Sequence, residues 1–191
     1  MTGAILFGGK SSRMGRPKHA VRLSDGSTFL SRVRNAIQPL CSQIVLLGDH
    51  AIGAGDELRI IKDLRPGQGP MAGIESLLKS GLDSRYLIVA CDQPLLTPEI
   101  CLLLMDDSSS ACIFKSADAD KFLPFPGIYS ASLADAISHS LDNEQRSLQQ
   151  LFRSLPGLRV VPLAPEFEQA LRSFNTPESI LELEAILQSQ S

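Results

Sequence analysis

The sequence predicts an α/β fold, a three-layer α/β/α sandwich around a mostly parallel sheet. Three observations predict it. Short, unbroken apolar runs recur along the chain, as strands buried on both faces require. Segments with apolar residues at helical spacing lie between them. The first apolar run opens directly into a glycine-rich, cationic loop, which is how such folds present backbone N–H groups to an anion. Strands alternating with helices are joined by right-handed crossovers, and that places helices on both faces of the sheet.

The first strand is Ala4–Phe7, within the apolar stretch Met1–Phe7. It leads into Gly8-Gly9-Lys10-Ser11-Ser12-Arg13-Met14-Gly15, with Lys18 close behind. Glycine lets the backbone approach an anion and take positive φ at little cost. Arg13 and Lys18 supply charge that matters most as a pyrophosphate leaves. The loop lacks the G-K-S/T ending of a P-loop, and Gly8 and Gly9 are adjacent, so it is not G-x-G-x-x-G. The plain alternative is a charged surface turn. His19, beside Lys18, is assigned no catalytic role.

The Asp25-Gly26 turn ahead of Ser27 starts the first helix, with Phe29, Leu30, Val33, Ala36, Ile37 and Leu40 as its stripe. Strands follow at Ile44–Leu47 and Arg59–Ile61. The loop Asp63-Leu64-Arg65-Pro66-Gly67-Gln68-Gly69 then precedes a helix from Pro70, carrying Met71, Ile74, Leu77 and Leu78. Such loops cluster at the carboxyl ends of strands, where α/β sheets bind ligands. Gly67 and Gly69 allow this one to close over a nucleotide; the alternative is a simple crossover loop. Tyr86–Cys91 is the most hydrophobic strand, and Asp92-Gln93-Pro94 follows it. A carboxylate at such a strand end suits Mg²⁺, which takes one or two carboxylates and completes its octahedron with phosphate oxygens and water. A mere turn or cap is the other reading of Asp92.

Thr97-Pro98-Glu99 and Thr176-Pro177-Glu178 each give a helix a capping hydroxyl, a first-turn proline and an acid. Ala111–Phe114 reads as a further strand, whereas Asp118–Pro165 is less regular. Within it, Phe122–Tyr129 reads as an edge strand or lining loop, because Pro124 and Pro126 argue against a central one. Arg146, in Asn143–Leu148, is a cation in the second half or an ordinary helix start. Asn175, ahead of the terminal helix with its stripe Ile180, Leu183, Ile186 and Leu187, can cap, bind a phosphate or ligate through water.

The 191 residues, 43% of them hydrophobic, suit one domain. It is read over 1–191, with a nucleotide-binding half (1–95) and an acceptor-binding half (96–191). A net charge of −3 argues against a non-specific nucleic-acid binder. No apolar stretch is long enough to span a membrane, and no basic segment followed by an apolar core opens the chain, so a cytoplasmic protein is expected. The cysteines, Cys41, Cys91, Cys101 and Cys112, form no C-x-x-C pair and read mainly as buried small hydrophobes.

In order, the motifs are a strand into G-G-x-S-x-R-M-G-x-x-K, D-x-x-P-G-x-G-P-x-A-G-I, C-D-x-P, R-S-L and F-N-T-P-E. Together they resemble the molybdenum cofactor guanylyltransferase family, within the wider α/β nucleotidyltransferases, over nearly the whole chain. The resemblance implies a Rossmann-like, nucleotide-diphospho-sugar transferase-like fold. It implies that Mg-GTP and Mo-molybdopterin react to give the guanine dinucleotide cofactor and pyrophosphate, with molybdoenzyme maturation proteins as further partners. The implied GTP contacts fall on Leu6, Phe7, Gly8, Gly9, Lys18, Asp49, Asp63, Gly69 and Asp92, and the implied Mg²⁺ ligand is Asp92. Arg13, Lys18 and Asp92 form the catalytic set; Arg146 and Asn175 are acceptor-side candidates. Two positions depart from the family pattern. Phe7 stands where alanine is usual, with bulk that could crowd the nucleoside, and Asp49 stands where the family has a base-side asparagine. Two other activities stay open: a cytidylyltransferase acting on molybdopterin or another small phosphate acceptor, and a GTP-binding partner protein without turnover.

Replacing Lys18 or Arg13 with alanine should each lower kcat by the equivalent of about 3 kcal/mol, as loss of a transition-state charge contact does. Steady-state kinetics check this; an unchanged kcat with a slightly raised KM for GTP would place these cations in solvent.

Overall fold

Among the described residues the chain forms a seven-stranded sheet in the order β3-β2-β1-β4-β6-β5-β7. The strands are β1 (Thr2–Leu6), β2 (Gln43–Leu47), β3 (Arg59–Ile61), β4 (Arg85–Ala90), β5 (Ala111–Lys115), β6 (Phe122–Ser130) and β7 (Leu158–Pro162). The structure is a computed structural model and describes residues 1–7, 22–48, 58–105, 108–116 and 120–189. β1 pairs in parallel with β2 and β4, β2 with β3, and β5 with β7; β6 alone runs antiparallel, to β4 and β5. The five strands read from apolar runs are all present, with ends shifted by no more than two residues.

Side chains alternate across β1, so each face feeds its own core. Ile5, Leu46, Leu87 and Val89 face one layer, built from α1 (Phe29–Ile37), α3 (Pro98–Leu102) and α6 (Pro177–Ser189). Ala4, Leu6, Val45, Leu47 and Ile88 face the other, built from α2 (Pro70–Leu78), α4 (Ala134–Asp142) and α5 (Leu148–Ser154). This is the three-layer sandwich that the alternation predicts. Cys91, Cys101 and Cys112 are buried, Cys41 partly so, and all four are free thiols. Burial pushes the Cys41 thiol up to about 11. Among the described residues, no helix is long and apolar enough to cross a membrane.

The structure corrects three expectations. β6 is interior, lying between β4 and β5, despite its two prolines. It pairs with β4 only over Gly127–Ser130, and its pairing with β5 jumps from Ile113↔Gly127 to Phe114↔Leu123. Pro124 and Pro126 fall in the jump, so their missing N–H groups cost no ladder bond. The irregular region holds two helices, α4 and α5, which send Ile137, Leu141, Leu148 and Phe152 into the second core. α4 closes on a turn in which Gln145 N donates to Ser140 O (2.8 Å) and Glu144 N to Leu141 O (3.1 Å). Glu144 takes the left-handed position there, with φ 57°.

The third correction concerns caps. α1 is capped by Thr28, which exchanges hydrogen bonds with Ser31, while Asp25 accepts from Ser27 N at 2.9 Å. The Thr97 hydroxyl makes no backbone cap bond at α3. Instead it helps hold the Glu99 carboxyl below its ordinary range, after the larger effect of Glu99's own backbone N–H. Thr176 does cap α6, accepting from Ser179 N at 3.2 Å.

A Cβ on Gly127 would lie 2.5 Å from Pro124 O and 2.8 Å from Tyr129 Cε2. The oxygen is backbone, and Tyr129 Oη donates to it at 2.8 Å. Gly127→Ala should therefore destabilise the protein by about 1–3 kcal/mol, as overpacking does. A denaturant midpoint equal to the parent's would refute that packing argument.

Candidate active site

Strand order reverses at β1, with β2 and β3 on one side and β4 on the other. Ligands in open α/β sheets bind outside the carboxyl ends of the strands at such a reversal. Here the ladders continue past the strand ends. Cys91 N donates to Leu6 O at 3.1 Å, Phe7 N to Leu47 O at 3.0 Å, and Gly48 N to Ile61 O at 3.1 Å. The tips of β4, β1, β2 and β3 therefore stand in a row. Gly48 has φ 127°, and a Cβ there would lie 2.8 Å from Phe7 O, so only glycine lets these two tips approach so closely.

Leu6, Phe7, Asp63 and Asp92 all lie along this row. Phe7 is partly buried and packs against the first core. Asp92 follows Cys91 directly and is half-exposed. Phe7, the last described residue before the glycine-rich segment, thus follows β1 directly, and Asp92 lies two residues past the end of the neighbouring β4. Asp63 lies just past β3; its Oδ1 is buried and would sit 3.4 Å from a Cβ on Gly73, which would also meet Leu6 Cδ1 at 3.1 Å. The glycine of α2 therefore lets Leu6 and the Asp63 carboxylate pack close to the helix.

The loop from Asp63 to Gly69 is fastened to α2. Leu64 N donates to Ser76 Oγ at 2.8 Å, and Ser76 Oγ donates to Ala72 O at 2.8 Å. Arg65 Nε stands 3.0 Å from Glu75 Oε2, a carboxylate only 1% exposed. Gly69, at the start of α2, has φ 75° and presents the helix N-terminus.

The far end of the chain closes on the same place. Phe174 N donates to Asp92 O at 2.9 Å, which sets Asn175 one residue from that contact. Asn175 N and Thr176 N both donate to Ser179 Oγ at 3.0 Å, so the segment is fixed to the first turn of α6. The Glu178 carboxyl in that turn is held below its ordinary range, first by its own backbone N–H and then by the Thr176 hydroxyl. A depressed carboxylate stabilises the fold above its unfolded pKa and loses that contribution as pH falls through the folded value.

Arg146 is exposed and precedes Ser147, the cap of α5. In α5, Gln149 bonds Phe122 N (3.0 Å) and Phe122 O (2.7 Å) at the start of β6, opposite Lys115 at the end of β5. Arg146 therefore stands at the same edge of the sheet, beside the β5–β6 pair rather than at the β1–β4 reversal. Gly8, Gly9, Arg13, Lys18 and Asp49 lie outside the described residues.

Sequence reading missed Gln93. It is 6% exposed, and its Nε2 donates to Phe125 O (3.1 Å) and Leu171 O (2.9 Å). One amide thus joins the start of β6 and the segment leading to Asn175, directly behind Asp92. The only sequence signal was its place as the unspecified residue of C-D-x-P. Among the described residues, no three His, Cys, Asp or Glu side chains form a ready metal cage. The half-exposed carboxylate of Asp92 still fits Mg²⁺, which is commonly held by one or two carboxylates plus substrate phosphates.

An open, mostly parallel sheet with an aspartate at the tip beside β1, and a glycine-rich sequence following β1, is the arrangement of a nucleotidyltransferase, and the family match bears that class out. Residues 3–160 match the family model described as MobA-like NTP transferase domain. A probable molybdenum cofactor guanylyltransferase of Carboxydothermus hydrogenoformans is 31% identical over 181 residues, covering 93% of this chain and 91% of that protein. Another, from Methanothermobacter thermautotrophicus, is 28% identical over 192 residues, 93% of this chain and 95% of its own. Among solved structures, molybdopterin-guanine dinucleotide biosynthesis protein A from Archaeoglobus fulgidus superposes with a TM-score of 0.81 at 24% identity, over 99% of this chain and 100% of that one. The 2-C-methyl-D-erythritol 4-phosphate cytidylyltransferase of Thermus thermophilus shares the fold at a TM-score of 0.71 and 13% identity, covering 97% of this chain and 98% of its own. The chain belongs to the MobA-like NTP transferase family, and it is an enzyme of the nucleotide-diphospho-sugar transferase fold.

Gln93→Leu keeps the volume but removes the donor to two carbonyls. Leaving buried acceptors unpaired costs about 1–3 kcal/mol each, so unfolding free energy should fall by about 2 kcal/mol or more. Amides around Phe174 should also exchange faster with solvent. Parent-like stability and exchange would show that Gln93 is not the fastening.

Proposed function

We propose that this enzyme transfers GMP from GTP to Mo-molybdopterin, giving the molybdopterin guanine dinucleotide cofactor and pyrophosphate. The observation that carries the reading is the contact at the sheet reversal: Cys91 N on Leu6 O, 3.1 Å, places Asp92 next to the origin of the glycine-rich loop. The names of the relatives at 31% and 28% identity support GTP and molybdopterin as the substrates.

In this reading the terminal phosphate of Mo-molybdopterin attacks the α-phosphorus of GTP. The bond from that phosphorus to the bridging oxygen breaks, and pyrophosphate leaves with the electron pair. A phosphate nucleophile is already ionised near neutral pH, so no side chain has to remove a proton. The chain's task is alignment and neutralisation. Gly8 and Gly9 offer backbone donors to the phosphates, and Arg13 and Lys18 hold the departing pyrophosphate. Leu6, Phe7, Asp49, Asp63 and Gly69 line the nucleoside side. Arg146 and Asn175 face the acceptor. Asp92 would hold Mg²⁺, which when bound neutralises phosphate charge.

The test supplies purified protein with Mg-GTP or Mg-CTP and Mo-molybdopterin, and measures pyrophosphate and the dinucleotide product. GTP should be the preferred donor; turnover with CTP alone, or GTP binding without pyrophosphate release, would replace this reading. Asp92→Ala should reduce transfer below detection while keeping a parent-like melting temperature, because its contact with Phe174 is made by the backbone carbonyl. Near-normal turnover by the folded variant would remove Asp92 from the mechanism.

A further inference from the structure

Arg65 belongs to the loop that carries Asp63, yet its side chain serves two other elements. Nε pairs with Glu75 Oε2 on α2 at 3.0 Å, and Nη1 pairs with Asp142 Oδ1, at the last residue of α4, at 2.6 Å. Glu75 is 1% exposed and has two further partners, Lys79 Nζ at 3.3 Å and Ser138 Oγ on α4 at 2.8 Å, both on Oε1. One buried carboxylate and one guanidinium thus tie the loop after β3, α2 and α4 together. Only a guanidinium places two donors in a fixed fork able to reach two separate carboxylates.

What Asp142 leads into gives this junction its meaning. Asn143, Glu144 and Gln145 fold back onto α4 through bonds to His139 O (3.2 Å), Leu141 O (3.1 Å) and Ser140 O (2.8 Å). Arg146 comes next in the chain. The turn before the acceptor-side cation is therefore held to α4, and α4 is held to the loop of Asp63 by Arg65. We infer that Arg65 is a positioning residue, fixing the nucleotide-side loop and the acceptor-side turn relative to each other through its fork to Glu75 and Asp142. The inference rests on the reading of Asp63 and Arg146 as contacts for the two substrates. A buried ion pair is weak evidence for stability, and specifying one arrangement is the use such pairs can serve.

Two variants test it. Asp142→Ala removes a carboxylate that is 61% exposed and leaves Glu75 paired. It should keep the parent's melting temperature, kcat and KM for GTP. It should raise the KM for Mo-molybdopterin about tenfold, within the range that a small misplacement costs, and speed exchange of the amides at 143–147. Arg65→Lys keeps a charge beside Glu75 but loses the fork. It should raise the KM for both substrates and speed exchange at 64–69 and 143–147, with the amides of β1 and β4 unchanged. Unaltered exchange and unaltered KM values in both variants would overturn the proposal. Faster exchange throughout the chain, with kcat falling alongside, would overturn it in favour of a merely structural role. Exchange is read without substrate. Local loosening in the variants together with no GMP transfer by the parent would therefore uphold the clamp and overturn the assigned reaction.

Discussion

The pairing of β1 with both β2 and β4 is the constraint from which the rest of the site follows. β1 is flanked on both edges and covered on both faces, and every residue from Thr2 to Leu6 is buried. Such a strand has no freedom to slip. A one-residue shift would send Ile5 into the layer built for Ala4 and Leu6, exchanging its contents with the opposite core. Register at the far end is therefore fixed by packing along the strand. The bond from Cys91 N to Leu6 O carries that register one step past the sheet and sets Asp92 beside the start of the glycine-rich loop.

The C-terminal segment completes this arrangement from outside the sheet. Phe174 is fully buried in the first core, and its N–H bonds Asp92 O. Burial of the ring thus orders the backbone on which Asn175 stands. Gln93 adds two bonds from the other side of Asp92, to β6 and to residue 171. The backbone at Asp92 is thereby held between residues distant in sequence, which is the preorganisation that the proposed role asks of it. Charge stabilisation costs no reorganisation when the groups are already in place.

The parts that could be read from sequence are those whose signal is local. Apolar runs gave five strands, because a strand covered on both faces must be apolar at every position. The Thr176 cap and the Pro70 helix start were legible for the same reason: the residues that form them are neighbours. β7 was missed because it lies at the sheet edge, where Arg159 and Pro162 are exposed and interrupt the apolar pattern. β6 was misjudged because the prolines carry a rule about ladders, and only the partner strands show that residues 124–126 stand outside theirs. Thr97 had the residue type of a cap, but its hydroxyl is engaged with Glu99, a competition that the sequence does not rank. Gln93 and the Arg65 fork were invisible for a different reason: their partners are residues 125 and 171 for Gln93 and residues 75 and 142 for Arg65, and no periodicity links such positions.

A fold shared with a cytidylyltransferase at 13% identity limits what the frame itself can decide. In the proposed reaction the sheet reversal and the acidic tip past β4 serve the phosphates, and those demands are the same for any nucleoside triphosphate. Base choice therefore has to reside in side chains at the tips rather than in the sheet. The tips of β2 and β3 are the ones farthest from Asp92 along the row, and they lead to Asp49 and Asp63. A carboxylate facing a base accepts hydrogen bonds from two adjacent donors of guanine, N1–H and the 2-amino group, whereas cytosine offers only its 4-amino group on that edge. A carboxylate in that role is thus chemically suited to guanine over cytosine. The fastening of the Asp63 loop to α2 through Ser76 and Glu75 gives that second acid a fixed position, so in the proposed reaction base discrimination and phosphate chemistry would be served by separate strands of one sheet.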